Sequence, residues 1–302
     1  MESAIARYDC AVIGAGPAGL TASIYLARYR RRMIVFDGGP SRARWIPESH
    51  NCPGFPGGIS GDNLLERLRA QLGAYEPTIA SCRVDKLEAD GDGFVLIEND
   101  RRLVFASKVL LATGIVDVLP DVEWIDAAIA AGAMRLCAVC DAYEITDKRI
   151  AVYGTASSAV DHALFLRTYS RDVTVVLADE HELSRSDAER AREAGIRIFG
   201  QSARIRFDGT RCSFVGVRGE EASFDSIYPF LGCQSQSSLA TDLGALCDDS
   251  GALRVTPDQM STVEGIYAAG DVVSSLNQIS VAVGQAGVAA TAIHNALPQD
   301  FR

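Results

Sequence analysis

The stretch Tyr8-Asp-Cys-Ala-Val-Ile-Gly14-Ala-Gly16-Pro17-Ala18-Gly19-Leu20 decides the fold. Residues 8–13 read as a short buried strand, and from Leu20 to Tyr29 apolar positions recur at helical spacing. A second strand, 33–36, ends at Asp37. Gly14 permits a tight turn, Gly16 lets a pyrophosphate approach the backbone, and Gly19 lets helix meet sheet. The helix N-terminus turns its N–H groups and positive dipole toward the phosphates. Asp37, 23 residues after Gly14, is placed to accept hydrogen bonds from an adenosine ribose. An ordinary strand–turn–helix junction has no reason to carry all these elements in order. The stretch is therefore read as a dinucleotide-binding start.

Two later stretches belong to the same module. Lys108-Val-Leu-Leu-Ala-Thr113-Gly114 is an apolar strand ending in small residues, and Gly265-Ile-Tyr-Ala-Ala-Gly270-Asp271 is a strand running into Gly-Asp. A carboxylate at a strand's C-terminal end sits where doubly wound sheets bind ligands, and Asp271 is suited to a ribityl hydroxyl; alone it would be an ordinary turn cap. Residues 280–297 read as a long helix rich in Ala, Gly and Val, able to lie close on the sheet.

A second module resembles the first. Strand 148–153, turn Gly154-Thr-Ala156-Ser-Ser-Ala159, helix 160–169 and strand 172–177 repeat the pattern, with Gly14 and Gly154 lying 140 positions apart. Short strands at 196–199, 203–207 and 212–217 are expected to complete it. The fold class is α/β, with two Rossmann-like, three-layer nucleotide-binding domains, the second inserted in the first. The first comprises residues 1–116 and 225–302, and the second residues 117–224.

The second turn is degenerate. Ala156 stands where a phosphate-binding turn prefers its central glycine, and its Cβ would crowd a pyrophosphate. Asp179, Glu180 and Glu182 follow the next strand, where a 2′-phosphate would call for arginines. They repel a phosphomonoester, whereas Asp179, standing one or two residues late, still suits the ribose of NAD. The expectation is a domain that binds neither nucleotide well, NADH slightly better than NADPH.

Composition narrows the rest. The 302 residues are 48% hydrophobic and 23% charged, which is globular, and a formal charge of −10 argues against a fold-wide nucleic-acid surface. No apolar run approaches the roughly 18 residues of a membrane span, and no secretory leader is read, so a cytoplasmic protein is expected. His50, His162, His181 and His294 never pair at metal-ligand spacing, so no metal site is expected. Of the eight cysteines only Cys137 and Cys140 are close together. They are either two packing residues among apolar neighbours or a redox pair with Asp141 as proton shuttle, and a dinucleotide module in the same chain favours the second reading.

These motifs, with His50-Asn51-Cys-Pro-Gly-Phe-Pro-Gly-Gly58 and Asn277-Gln278-Ile279-Ser280, resemble the low-molecular-weight thioredoxin reductase family nearly end to end. The resemblance implies FAD in the first domain, a homodimer, and a disulfide that exchanges electrons with the isoalloxazine. It puts Gly14, Gly16, Pro17, Ala18 and Gly19 at the FAD pyrophosphate and Asp37 at the adenosine ribose. Thr113, Gly114, Gly270 and Ile279 join them as cofactor-binding residues, Asp271 holds the ribityl chain, and Gln278 approaches the pyrimidine edge. Asn51 belongs to the loop beside the flavin. Cys140 faces the flavin, Cys137 attacks the external disulfide, and Asp141 is their acid–base partner. The departures are Ala156, the lost arginine clamp, Asn277 in place of an arginine, and Cys52 in place of a large residue. They point to relatives without a working NADPH site. The expected activity is reduction of thioredoxin or a similar disulfide by another donor, ferredoxin among them. The alternatives are a dithiol oxidase acting on a small molecule with oxygen, and an NAD(P)H-dependent reductase.

Overall fold

The computed structural model describes residues 5–299 apart from 157, 202 and 274–275. It divides into two units. Met1–Ile46, Ser60–Val116 and Gln234–Arg302 form the first, and Pro47–Ile59 with Asp117–Cys233 form the second.

In the first unit β1 (Ala6–Ile13) leads through α1 (Pro17–Arg28) to β2 (Met33–Phe36). After α2 (Gly61–Gly73) come β3 (Thr78–Ala80), the antiparallel strands β4 (Lys86–Asp90), β5 (Gly93–Glu98) and β6 (Arg101–Leu111), and the short β7 (Ile115–Asp117). The sheet order is β3-β2-β1-β6-β5-β4, and β1 runs parallel to both β2 and β6. Successive residues of β1 face opposite sides. Cys10 and Val12 enter the core shared with α1, while Ala11 and Ile13 enter a second core on the other face. A strand covered on both faces must be apolar throughout, which is why residues 10–13 show no polar alternation. Pro17 opens α1, where its fixed φ suits a helix and its missing N–H costs nothing.

The second unit contains α3 (Ile125–Ala130), the one-turn α4 (Ala138–Asp141), β8 (Ile150–Gly154), α5 (Ala159–Leu166) and β9 (Val173–Leu177). Next come α6 (Arg185–Glu193), β10 (Arg197–Gln201), an antiparallel sheet of β11 (Arg204–Phe207), β12 (Cys212–Val215) and β13 (Glu221–Phe224), then β14 (Ser226–Phe230), with β15 (Cys233–Ser235) straddling the junction at Gln234. Its parallel sheet has the order β10-β9-β8-β14. The first unit then finishes with α7 (Ser238–Thr241), β16 (Ile266–Ala268) parallel to β6, and α8 (Ile279–Ala296).

Two boundaries differ from the sequence reading. The chain rejoins the first unit at Gln234, not at 225, because the apolar β14 pairs along all of β8, Tyr228 opposite Val152. Residues 47–59 group with the second unit, not with 1–116. That loop closes on itself through a bridge between Ser49 and Ile59, and its Asn51 amide donates to the Val139 carbonyl at 3.4 Å.

Candidate active site

In the first unit four parallel strands end level. Ile13 lies opposite Phe36 and Leu111, and Leu111 opposite Ala268. The residues just beyond, namely Gly14, Asp37, Thr113 with Gly114, and Gly270 with Asp271, therefore share one carboxyl edge, the ligand side of a parallel sheet. Gly14 has φ +111°, and a Cβ on it would overlap the Ala112 carbonyl. A Cβ on Gly19 would overlap the Gly14 carbonyl, so these two glycines make the turn close. Gly16 differs. A Cβ there would meet only Ser41 Oγ, at 3.1 Å, so its glycine keeps space open on the ligand side. Gly16 also starts α1 with no side-chain cap, which leaves the first-turn N–H groups of Ala18 and Gly19 to an anion.

Around this cradle, Arg69 Nη2 reaches Asp37 Oδ2 at 3.4 Å and Arg42 Nη1 lies 3.8 Å from Asp271 Oδ2. Thr113 donates to the Gln236 carbonyl at 2.6 Å, and the Gly270 N–H donates to Gln285 Oε1 at 2.8 Å. Gln278 and Ile279 open α8, and the neighbouring Asn277 keeps a buried Oδ1 without a hydrogen-bond partner. An uncapped helix start, a cradle that a Cβ would fill and an orphaned acceptor fit an FAD. Arg42, Arg69, Gln236 and Gln285 have no sequence motif that would have flagged them.

In the second unit Cys137 and Cys140 are joined in a disulfide. Cys137 caps α4, and its Sγ accepts the Cys140 N–H at 3.2 Å. Ala138 and Ala142 press α4 onto the core and leave Val139 exposed. Asp141 is held at both oxygens: Tyr228 Oη donates to Oδ1 at 2.7 Å and Arg135 Nη1 to Oδ2 at 3.0 Å. Burial pushes the Asp141 carboxyl above the usual carboxylate range, while Tyr228 and Arg135 pull it back and Glu144 adds a smaller upward push. The Tyr228 hydroxyl is itself driven far up, chiefly by burial, so it stays protonated and donates. Asn51 joins this unit against Val139, and Cys52 beside it is buried, which raises its thiol. The sequence reading missed Tyr228 and Arg135.

The second sheet has its own level edge, with Gly154 opposite both Leu177 and Phe230. Ala156 there is buried in the core cluster, and the Thr155 carbonyl accepts the N–H groups of Ser158 and Ala159. Ser157 of this turn lies outside the described residues. Leu177 thus holds the place that Asp37 nearly holds in the first unit, and Asp179 follows two residues later. Its Oδ1 is buried without a hydrogen-bond partner, and its Oδ2 lies 3.4 Å from His181 Nδ1.

Among the described residues no group of three or more His, Cys, Asp or Glu is arranged to hold a metal, and no helix is long and apolar enough to cross a membrane. A family model described as pyridine nucleotide-disulphide oxidoreductase matches residues 8–286. The chain belongs to this family. It is 30% identical over 314 residues to a thioredoxin reductase of Peptoclostridium acidaminophilum, covering 97% of this chain and 98% of that one. The crystal structure of thioredoxin reductase from Streptococcus pyogenes MGAS5005 superposes with a TM-score of 0.86 at 25% identity, covering 96% and 98% of the two chains. The crystal structure of HlmI gives 0.88 at 26% identity, covering 98% and 93%. The protein is an FAD-dependent thiol-disulfide oxidoreductase resembling thioredoxin reductase, with a redox-active cysteine pair.

Proposed function

We propose that this oxidoreductase reduces the disulfide of a thioredoxin-like protein with electrons from a reduced nicotinamide nucleotide. The observation that carries the reading is the Cys137–Cys140 disulfide beside Asp141, in a chain matched by the family model across both sheets. The relatives' name supports a protein disulfide as acceptor, and the family's description supports a pyridine nucleotide over the ferredoxin-type donor expected from the second turn. Asp179, Glu180 and Glu182 weigh against a 2′-phosphate, so NADH is preferred to NADPH.

In this reading Gly14, Gly16, Pro17, Ala18 and Gly19 bind the FAD pyrophosphate. Asp37 and Asp271 take the ribose and ribityl hydroxyls, with Thr113, Gly114, Gly270, Gln278 and Ile279 around them. Bound there, FAD supplies a carrier of two electrons between nucleotide and disulfide. Cys140 exchanges electrons with the flavin, Cys137 attacks the external disulfide, and Asp141 moves the proton. The working assembly is a homodimer.

A second reading rests on Ala156 and the same three carboxylates: a donor other than a nicotinamide nucleotide, or a small dithiol oxidised at the expense of oxygen. Anaerobic stopped-flow reduction of the holoenzyme by NADH, NADPH, reduced ferredoxin and dithiothreitol separates them, followed by addition of oxidised thioredoxin or of oxygen. NADH should bleach the flavin and thioredoxin should restore its colour. Bleaching by dithiothreitol or ferredoxin but by neither nucleotide would favour the second reading.

A further inference from the structure

We propose that Arg135 and Tyr228 are positioning residues that grip Asp141 by its two oxygens and so set the pH range over which it exchanges a proton with the cysteine pair. The inference rests on the reading of Asp141 as the proton carrier. Tyr228 is fully buried in the core of the second unit, and a buried phenol needs a partner for its hydroxyl. Its partner is Asp141 Oδ1, from a residue 87 positions earlier in the chain. Arg135 takes the other oxygen from a segment tied to the same strand. Its N–H donates to the Ile227 carbonyl at 2.9 Å, the Ile227 N–H donates to the Ala133 carbonyl at 2.9 Å, and Met134 bridges Ile227. Residues 227 and 228 therefore fix both arms of the grip, and little side-chain ordering is left to do when the carboxylate ionises.

The charges that act on Asp141 come from three neighbours. Tyr228 on β14 and Arg135 on the segment before α4 favour the carboxylate, while Glu144, one turn beyond α4, opposes it. Burial outweighs the two donors, so the carboxyl keeps its proton to a higher pH than an exposed aspartate. Loss of either donor moves it further up.

A thiolate of an external dithiol attacks Cys137 Sγ, and a new S–S bond forms between them. The Cys137–Cys140 bond breaks and its electron pair leaves on Cys140 Sγ. A proton passes from the Asp141 carboxyl to that sulfur. The reverse sequence returns the proton to the carboxylate. Asp141 has to change its protonation state in either direction, and the two donors oppose one of the two states.

The test is the pH profile of flavin bleaching by dithiothreitol under anaerobic conditions, with FAD content checked in each variant. Asp141→Asn should slow the step about 100-fold, the size of a lost general acid–base group. Tyr228→Phe keeps the ring in the core and should raise the pH midpoint of the Asp141-dependent limb by about one unit, the worth of one hydrogen bond to a charged group. Arg135→Gln should raise it likewise, and Arg135→Lys should restore most of the wild-type profile. In the Asp141→Asn background neither change should move the profile. A wild-type profile in Tyr228→Phe and Arg135→Gln would overturn the grip. An equal shift in the Asp141→Asn background would do the same. A wild-type rate in Asp141→Asn would instead overturn the proton-carrier reading beneath it.

Discussion

The turns after β1 and β8 occupy the same place in the two units and are built differently. Each follows the first strand of a parallel sheet and starts a helix. The first, Gly14 to Gly19, is close-packed at its ends and open in the middle. The second, Gly154 to Ala159, puts a methyl at position 156, buries it in the core and satisfies early helix N–H groups on Thr155. The carboxylates after the second strand are offset as well, Asp37 directly after β2 but Asp179 two residues beyond β9. A shared fold therefore leaves room for two differently built turns. One absent Cβ and a shifted carboxylate distinguish a turn that keeps space beside its helix start from one that fills it with a buried methyl.

The largest effect is expected at the disulfide of the second unit. Cys140→Ser or Cys137→Ser should cut thioredoxin-disulfide exchange by about 1,000-fold or more while flavin content stays normal, because neither turn is touched. Exchange at the wild-type rate in both variants would detach the disulfide from the activity.

Next come the glycines of the first turn. Gly19→Ala should cost about 3 kcal/mol or more and empty the flavin site, since the new Cβ overlaps the Gly14 carbonyl. Gly16→Ala should leave the thermal melt of the apoprotein nearly unchanged yet weaken FAD binding strongly, because only Ser41 Oγ crowds the new methyl until the phosphate arrives. Equal effects of the two substitutions on melting and on flavin content would erase the distinction between closure and ligand space.

The second turn should respond in the opposite sense. Ala156→Gly is expected to destabilise the protein by about 1 kcal/mol, through a lost buried methyl and added chain entropy, while speeding flavin reduction by NADH. Asp179→Asn should bring NADPH closer to NADH in apparent affinity by about tenfold, as one repulsive charge is removed. Unchanged nucleotide kinetics in both variants would mean that the obstacle lies elsewhere. The smallest effect is a control. Ser60 accepts the Asn63 N–H and Ser184 the Asp187 N–H at the starts of α2 and α6. Each Ser→Ala change should cost about 1 kcal/mol in either unit, read by chemical denaturation, with no change in nucleotide preference.

The βαβ starts, the conformational demands on Gly14, Gly16 and Gly19, and the two-residue spacing that lets Cys137 and Cys140 bond are all legible in the sequence. Each of these is local. Turn geometry, helix initiation and a two-residue thiol spacing are decided within a few residues, so the residue types announce them. Tertiary structure decided what depends on partners far along the chain. The pairing of β14 with β8 moved the second boundary from 225 to 234, and that same strand delivered Tyr228 to Asp141. Residues 47–59 look like an ordinary loop of the first module until Asn51 reaches Val139. Strand register, which no single stretch reveals, set Asp179 two residues past its sheet edge. A carboxylate's neighbours fix its proton affinity, and for Asp141 those neighbours come together only when β14 closes the second sheet.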